Sequence, residues 1–364
     1  MKICFVGPAN SSHIIKWCKW FCEHGHEISV ISFTSGNIPN VNVNTIDVNV
    51  DTNGSDLGKL KYLFTGKKIK ELIRKLNPDV VSVHYATSYG VAVALGGIEN
   101  YTLSVWGSDI YDFPNKSPLH RLLLKYSLKK APHLLSTSKA MAEEAAKYTQ
   151  KHFEITPFGV DVDIFNPNKR TREKDEGFIV GTVKGLTDKY GIRYILEAVK
   201  IVKDTTNIPI KLRIAGKGIQ EEEYKQLAQD MGIADVTTWL GFISQEEAAG
   251  EWANMDVAII PSILESFGVA AVEAEACETA VIISDVPGLM EATNPGVSSK
   301  VVPKEDSKAI ADVIIELYSD NDLRRKMGEA GRKYVLRKYE LNNCFKNIEK
   351  IMFKIIHKKN SNTW

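Results

Sequence analysis

The chain has 364 residues and a net charge of +1 at pH 7. This length is more than one compact core normally needs and predicts two domains, while the near-neutral charge excludes nucleic-acid binding through an overall basic field. No apolar run approaches the length of a membrane span, and the sequence opens directly into a strand, so we expect a soluble, cytoplasmic protein.

Strands and helices alternate through the first half of the chain, as hydrophobic periodicity and turn residues indicate. The predicted strands are 2–7, 27–32, 80–84, 101–106 and 133–137, and the predicted helices are 12–24, 68–76, 90–97 and 119–130. Over 158–177 the composition shifts to proline, asparagine and charged residues, which predicts an interdomain linker.

The second half restarts the same pattern. The predicted strands are 178–183, 210–215, 236–240, 257–261 and 280–284, the predicted helices are 191–203, 221–231 and 266–277, and a final helix covers 341–359. This alternation predicts an α/β protein with two doubly wound parallel-sheet domains that face each other across a cleft. We place the domains at 1–166 and 167–340, with 341–364 packing back on the first.

The five cysteines are odd in number and irregularly spaced: Cys4, Cys18, Cys22, Cys277 and Cys344. They predict reduced thiols rather than a disulfide framework. Cys18 and Cys22 lie one helical turn apart and could bind a metal ion with His26. The helix needs apolar residues on that face, which favours buried thiols.

Two carboxylates stand in an unusually apolar segment that reads as strand, loop and helix. Glu265 lies in the loop and Glu273 in the helix. Helix N-termini beyond the carboxyl ends of parallel strands bind anions, so a carboxylate there is suited to accept hydrogen bonds from hydroxyl groups of an anionic ligand. The segment predicts a sugar-nucleotide site. Periodicity alone does not decide between Glu273 and Glu275, and both could be solvated edges of an amphipathic helix.

Further motifs follow one another along nearly the whole chain. In order they are Trp106-Gly107-Ser108-Asp109, the segment 159–167, the loop 181–191 with Lys184 and Lys189, Gly216-Lys217-Gly218, Gly241-Phe242, the Glu265 to Glu273 segment and Pro287-Gly288-Leu289. With this set the chain resembles the retaining glycosyltransferases of family 4, which have the GT-B fold of two Rossmann-like domains. The resemblance implies that the first domain binds the acceptor and the second the nucleotide-sugar donor.

The resemblance gives the donor-side residues their roles. Lys184 and Lys189 would neutralise the diphosphate leaving group without a metal ion, although the family usually has an arginine at the position of Lys184. Glu265 would bind hydroxyl groups of the donor sugar and Glu273 the ribose diol. Glycines would let the backbone approach the nucleotide at 216 and 218, and residues 241–243 would line the base pocket. Backbone N–H groups of 266–268 would meet the distal phosphate. The residues in these three sets are Gly216, Gly218, Gly241, Phe242, Ile243, Ser266, Phe267 and Gly268.

The acceptor-side candidates follow strands of the first domain. They are Gly7, Ser11 and His13 in the loop after the first strand, and His84 at the end of another. The loop could equally be a turn with a serine N-cap, and His84 a core residue. Trp106 stands where many relatives carry a histidine, and tryptophan cannot shuttle a proton. Asp109 is a substitute for that role, or it caps the following turn.

The implied activity is transfer of a sugar from a nucleoside-diphosphate sugar, most simply UDP-linked, to an acceptor hydroxyl in glycan, polysaccharide or glycolipid assembly. The anomeric configuration would be retained, and neither a cofactor nor a metal ion is expected. A GT-B isomerase such as an epimerase, and a non-catalytic nucleotide-sugar binding protein, remain alternatives. Basic stretches at 59–70 and 350–359 mix lysines with large apolar residues, which predicts either transient contact with an anionic membrane and a lipid-linked acceptor or plain surface helices.

Overall fold

The computed structural model describes residues 1–48, 58–172 and 176–361, except for the side chains of 58–60 and 358–361. The chain divides into two compact units. The N-terminal unit comprises 1–157 with 345–364, and the C-terminal unit comprises 158–344. We placed the boundary after residue 166, but the second unit begins earlier. Val160 is tied into it because its N–H donates to the Tyr339 carbonyl at 2.8 Å and its own carbonyl accepts from Leu341 N–H at 3.0 Å.

The N-terminal unit contains a seven-stranded parallel sheet in the order β3-β2-β1-β4-β5-β6-β7. The strands are β1 (Lys2–Val6), β2 (Glu27–Ser32), β3 (Asn42–Thr45), β4 (Val80–His84), β5 (Thr102–Val105), β6 (His133–Ser136) and β7 (Phe153–Ile155). Its helices are α1 (Ser12–Glu23), α2 (Gly66–Leu76), α3 (Ser88–Leu95), α4 (Ser108–Tyr111), α5 (Pro118–Lys130) and α6 (Lys139–Ala145), with a 3₁₀ helix at Gly58–Thr65. The central strands β4 and β5 are buried along their whole length, as expected for a parallel sheet covered on both faces.

The C-terminal unit contains a six-stranded parallel sheet in the order β10-β9-β8-β11-β12-β13. The strands are β8 (Phe178–Val183), β9 (Ile210–Ala215), β10 (Thr237–Gly241), β11 (Val257–Ile260), β12 (Ala280–Ser284) and β13 (Ser299–Val302). The helices are α7 (Ile192–Thr205), α8 (Glu221–Asp230), α9 (Gln245–Asn254), α10 (Val269–Ala276), α11 (Pro287–Ala292), α12 (Ser307–Ser319) and α13 (Asn321–Lys338). The predicted pair of doubly wound parallel sheets is therefore confirmed.

The last helix, α14 (Leu341–Ser361), leaves the C-terminal unit at its start and belongs to the N-terminal unit from Phe345 onward. Phe345 packs edge-on against Trp17 and Trp20, with ring centroids 5.8 and 5.5 Å apart. Farther along, the Glu349 carboxylate contacts His26 Nε2 at 2.7 Å. The apolar face of α14 is thus used in packing. Within the described ranges, no helix is both long and apolar enough to span a bilayer.

Candidate functional site

In a doubly wound sheet, ligands bind beyond the carboxyl ends of the strands, at the point where the strand order reverses. In the C-terminal unit this switch point lies between β8 and β11. Lys184 is the first residue after β8, and Glu265 lies in the loop that follows β11. The two side chains, 81 residues apart in sequence, therefore meet at the position where a ligand is expected.

Lys184 and Glu265 form an ion pair at this switch point. The Lys184 Nζ donates to Glu265 Oε2 at 2.5 Å, and the two side chains are only 13% and 10% exposed. Burial disfavours the charged ammonium, but attraction to Glu265, and then to Tyr190 and Glu273, outweighs it and raises the pKa of Lys184. The lysine therefore carries its positive charge at neutral pH.

Tyr190 joins the two lysines that were predicted to bind diphosphate. Its ring lies 4.5 Å from Lys184 Nζ and 5.1 Å from Lys189 Nζ, within range of cation–π attraction. The Lys189 carbonyl accepts hydrogen bonds from the N–H groups of Ile263 and Leu264, at 2.8 and 3.3 Å. These bonds tie the β8 loop to the β11 loop. Sequence reasoning missed Tyr190, whose signal was its position directly after Lys189.

Helix α10 separates the two glutamates between which periodicity could not choose. Glu273 is half-buried and lies near enough to Lys184 to help raise its pKa. Glu275 is fully buried, and its Oε1 accepts a hydrogen bond from Ser298 Oγ at 2.5 Å. Burial raises the pKa of Glu275 to about 8, with the Ser298 bond opposing it. Glu273 is thus the member of the pair on the switch-point side.

The start of α10 differs from the prediction. We expected the helix from Ser266, but it begins at Val269 because Gly268 takes up a left-handed conformation with φ of 94°. Ser266, Phe267 and Gly268 therefore form the turn before the helix, and the first-turn amides belong to the residues that follow. The Phe267 ring is buried and packs edge-on against Tyr339, with centroids 5.1 Å apart.

Glycines hold the neighbouring loops close to the ion pair. A Cβ at Gly216 would lie 1.9 Å from the Lys184 carbonyl oxygen, and one at Gly218 would lie 2.0 Å from that of Leu186. These two glycines let the β9 loop pack against the Lys184 loop. Likewise, a Cβ at Gly288 would meet the Glu265 carbonyl oxygen at 2.2 Å.

The predicted base pocket follows β10. Gly216 N–H donates to the Gly241 carbonyl at 2.7 Å, which joins the two loops at the carboxyl ends of β9 and β10. Phe242 is 79% exposed and Ile243 is half-buried. The Phe242 ring follows the hydrogen bond that joins these two loops, and an aromatic ring this exposed offers a surface on which a planar ligand can stack.

The switch point of the N-terminal unit lies between β1 and β4, and it has a different character. His84, the last residue of β4, is fully buried, with Nε2 3.3 Å from Ser82 Oγ. Burial, with a smaller contribution from His13, lowers the pKa of His84 to about 3. Gly7, after β1, packs on His84, since an added Cβ would lie 3.2 Å from the His84 Cβ. The imidazole is therefore a neutral core group, and our prediction that it contacts the acceptor is not supported.

An aromatic cluster surrounds this imidazole. The Trp17 ring lies 4.7 Å and the Trp106 ring 4.9 Å from His84, and the His13 ring lies 5.5 Å from Trp106. Desolvation of the half-buried His13 and the nearby Lys16 lower the pKa of His13 to about 3. Sequence reasoning missed Trp17, whose apolar helix position gives no sign of this contact.

Asp109 and Trp106 are fixed by hydrogen bonds inside the N-terminal unit. The Asp109 carboxylate accepts from the backbone N–H groups of Ala86, Trp106 and Gly107 at 2.9, 3.1 and 2.8 Å, and the residue is 1% exposed. Burial raises the pKa of Asp109 against the effect of these bonds. These donors lie in the loops that follow β4 and β5, so Asp109 holds those two loops together, and the described helix α4 has no side-chain cap. Trp106 Nε1 donates to Ser104 Oγ at 3.2 Å.

Ser11 occupies the N-cap position of α1, with an extended backbone, and its side chain makes no capping bond within that described helix. The residue is half-buried, like His13 two positions later. Ser11 and His13 are thus the two acceptor-side candidates that retain exposed surface at the carboxyl end of β1.

Among the residues that the structure describes, no group of three His, Cys, Asp or Glu side chains is arranged to hold a metal ion. The described cysteines, including Cys18 and Cys22, are free thiols.

Comparison with solved structures places the fold. Sucrose-phosphate synthase of Thermosynechococcus elongatus superimposes with a TM-score of 0.86 at 17% identity, over 98% of this chain and all of that one. HepE of Anabaena, solved in complex with UDP, superimposes with a TM-score of 0.77 at 17% identity, over 97% of this chain and all of that one. The two parallel sheets are those of the GT-B fold, as predicted.

The sequence comparisons then give the family. The model for glycosyl transferases group 1 matches residues 164–334, and that for glycosyl transferase 4-like domains matches 2–138. N-acetyl-alpha-D-glucosaminyl L-malate synthase of Bacillus anthracis is 24% identical over 358 residues, 93% of this chain and 92% of that protein. A D-inositol 3-phosphate glycosyltransferase of an Arthrobacter species is 28% identical over 71% of this chain and 68% of that protein. The chain belongs to the group 1 glycosyltransferases of the family 4 type, and it is a transferase.

Proposed function

We propose that this transferase moves a sugar from a nucleoside-diphosphate sugar, UDP-linked, to an acceptor hydroxyl with retention of the anomeric configuration. The observation that carries the proposal is the buried Lys184–Glu265 ion pair at the switch point, flanked by Lys189 and Tyr190. A paired lysine and carboxylate suit a ligand that has phosphates and hydroxyl groups side by side. Support for the base comes from HepE, whose solved complexes include UDP and UDP-glucose.

In the proposed arrangement the diphosphate competes with Glu265 for the Lys184 ammonium and also attracts Lys189. Glu265 then accepts hydrogen bonds from the donor sugar, and Glu273 from the ribose. The amides before and in the first turn of α10 add partial positive charge near the distal phosphate. These groups stabilise the charge that develops on the leaving diphosphate, which is the main electrostatic demand of the reaction.

The bond changes follow from retention. The bond between the anomeric carbon and the diphosphate oxygen breaks, and a bond to the acceptor oxygen forms on the same face of the sugar. The acceptor's proton passes to an oxygen of the leaving diphosphate. No protein base is required, in keeping with Trp106 at the position where relatives carry a histidine. Lys184, Lys189 and α10 supply the positive charge, so the proposed reaction is independent of a divalent metal ion and of any cofactor.

The acceptor is a saccharide or lipid-linked hydroxyl compound used in glycan, polysaccharide or glycolipid assembly. Half-buried His13 and Ser11 at the carboxyl end of β1, with the Trp106 ring behind His13, offer hydroxyl and aromatic contacts to an uncharged ring.

A binding panel and an anomer assay test the proposal. Thermal shifts with UDP-, GDP-, ADP- and TDP-sugars, each with and without EDTA, should show stabilisation by the UDP-sugar that chelator does not change. Proton NMR of the product should show the donor's anomeric configuration. Stabilisation that requires a divalent ion contradicts metal independence, a preference for another base contradicts the donor, and an inverted product contradicts retention.

A further inference from the structure

One helical layer of the N-terminal unit concentrates positive charge and exposed apolar side chains. The layer is made of α2, α3, α5 and the 3₁₀ helix at Gly58–Thr65, because α3 packs against each of the other three. Two glycines allow these helices to pack closely. A Cβ at Gly66 would lie 2.6 Å from the Ala92 carbonyl oxygen, and one at Gly90 would lie 2.6 Å from Ser127 Oγ. We call this surface the basic layer.

The basic layer is much more positively charged than the chain as a whole. Helix α2 carries five basic residues and one acidic residue, α3 carries no charged residue, and α5 carries four basic residues and no acidic one. The three helices therefore have a net charge of +8, whereas the chain as a whole has +1. The basic side chains on α5 are all exposed, as are those of α2 except for Lys70, which donates to the Gly97 carbonyl at 3.0 Å.

The basic layer also exposes large apolar side chains. Phe64 is 88% exposed, Leu122 63%, Leu119 49% and Leu95 48%, and each belongs to an element of the layer. An apolar side chain surrounded by basic ones is the composition of a surface that inserts into the headgroup region of an anionic bilayer.

The C-terminal helix, the other basic stretch in the sequence, does not have this form. Phe345, Ile348, Ile351 and Met352 of α14 are at most 8% exposed, because they pack on the N-terminal unit. Most of the apolar face of α14 is thus covered and Phe353 is 40% exposed, whereas the basic layer exposes four large apolar side chains.

We infer that the basic layer docks the protein reversibly on an anionic lipid membrane. The occupant is a bilayer rather than a protein partner because the charges are spread over two helices and the exposed apolar side chains are distributed over the 3₁₀ helix, α3 and α5. The inference rests on the proposed function only for the nature of the acceptor: a membrane-docked transferase acts on a lipid-linked hydroxyl compound.

Vesicle flotation tests the docking. Vesicles of equal parts phosphatidylcholine and phosphatidylglycerol should bind the full-length protein, and pure phosphatidylcholine vesicles should not. Raising NaCl from roughly 0.05 M to about 0.5 M should weaken binding, since the Debye length falls. Because each basic residue near the surface adds about 1 kcal/mol, Arg121→Glu with Lys125→Glu should lower partitioning at least roughly tenfold. Leu122→Ser should lower it by about threefold.

Matched controls lie on α13 of the C-terminal unit. Lys326→Glu with Lys333→Glu makes the same charge change on exposed helix positions, and Leu336→Ser makes the same apolar change at a 40% exposed leucine. Both should bind vesicles like the wild type. Equal binding to neutral vesicles, or an equal loss in the α13 controls, overturns the inference. Thermal shift by a UDP-sugar should be the same in all these variants, so failure of docking and failure of the proposed donor are separate results.

Discussion

The switch points of the two units lie at equivalent places in similar sheets, but one is charged and the other is neutral. In the C-terminal unit, Lys184 and Glu265 meet as an ion pair with Lys189 nearby. In the N-terminal unit, a buried imidazole, His84, is surrounded by Trp17 and Trp106. The same topology thus provides a charged site in one unit and an aromatic one in the other.

The two switch points also differ in whether their buried titratable group has a charged partner. Glu265 keeps a cation at hydrogen-bond distance, so burial of one charge is offset by the other. His84 has no such partner in the described chain and responds to burial with a pKa of about 3. Variants that remove charge from the first site should therefore lower activity. Variants in the second site should change how the stability of the fold depends on pH.

Glu265→Gln should have the largest effect. The amide keeps the shape of the side chain but leaves Lys184 without its counter-charge and gives the donor sugar a weaker acceptor. We expect kcat/KM to fall by roughly 10²–10³, as for other losses of a preorganised polar contact. Steady-state kinetics with the best UDP-sugar measures this, with circular dichroism to verify the fold. Glu246→Gln, at an exposed position in the first turn of α9, is the matched control. Normal turnover in Glu265→Gln would remove this residue from the site.

Lys189→Ala should come next, with a loss of about 10² in kcat/KM. Its ammonium is exposed and lies over the Tyr190 ring, so removing it costs charge near the proposed diphosphate and little stability. The effect should appear in kcat as well as in KM, because the charge on the leaving group grows in the transition state. Lys211→Ala, an exposed lysine within β9, serves as the control. A change in KM alone would assign Lys189 to ground-state binding.

The sequence predicted the charged site better than the neutral one, and the reason is physical. A carboxylate beyond an apolar strand stands out in a sequence, so Glu265 could be placed after β11, and the family resemblance placed Lys184 in the loop after β8. Their direct pairing could not be predicted, because it depends on how the two loops pack. The ring cluster around His84 was not predictable either, since Trp17 looks like any core residue of an amphipathic helix.

The same reasoning applies to the fold. Central strands such as β11, with the sequence Val-Ala-Ile-Ile, were visible as continuous apolar runs. The edge strand β3 has the sequence Asn-Val-Asn-Thr, which is half exposed and lacks a strand pattern. Our predicted start of helix α10 was too early, because the left-handed turn at Gly268 depends on tertiary packing and not on local sequence. It is fixed by the contact with α11, where an added Cβ would meet Leu289 Cδ2 at 2.8 Å.

His84→Gln should reduce the dependence of the free energy of unfolding on acid pH, and so sharpen the contrast between the two switch points. In the unfolded chain the imidazole takes up a proton below about pH 6.5, but in the folded protein it does so only near 3. Above pH 6.5 the group has no effect, and the free energy of unfolding falls as the pH drops from there toward 3. At pH 5 this cost is roughly 2 kcal/mol. Denaturant unfolding at several pH values should show a shallower acid limb in the variant. Parallel limbs would mean that His84 titrates normally.

Glu275→Gln should have the smallest effect, and it separates the two carboxyl groups of the C-terminal unit. Glu265 forms an ion pair with Lys184, whereas Glu275 is fully buried beside Ser298, with a pKa raised to about 8. Its contribution to stability is complete below about pH 4.5, the ordinary value, and is lost as the pH rises through 8, because folding must keep a proton that the unfolded chain releases.

Glutamine retains an oxygen for the Ser298 bond and has no proton to lose. The variant should therefore gain stability relative to wild type as the pH rises, by roughly 1 kcal/mol between pH 6 and 7. Thermal unfolding across pH 5–9, with turnover measured in parallel, gives the answer. A gap that stays constant with pH would show that Glu275 is ionised in the folded protein, and the C-terminal unit would then hold a second buried charge, without the cation that Glu265 has.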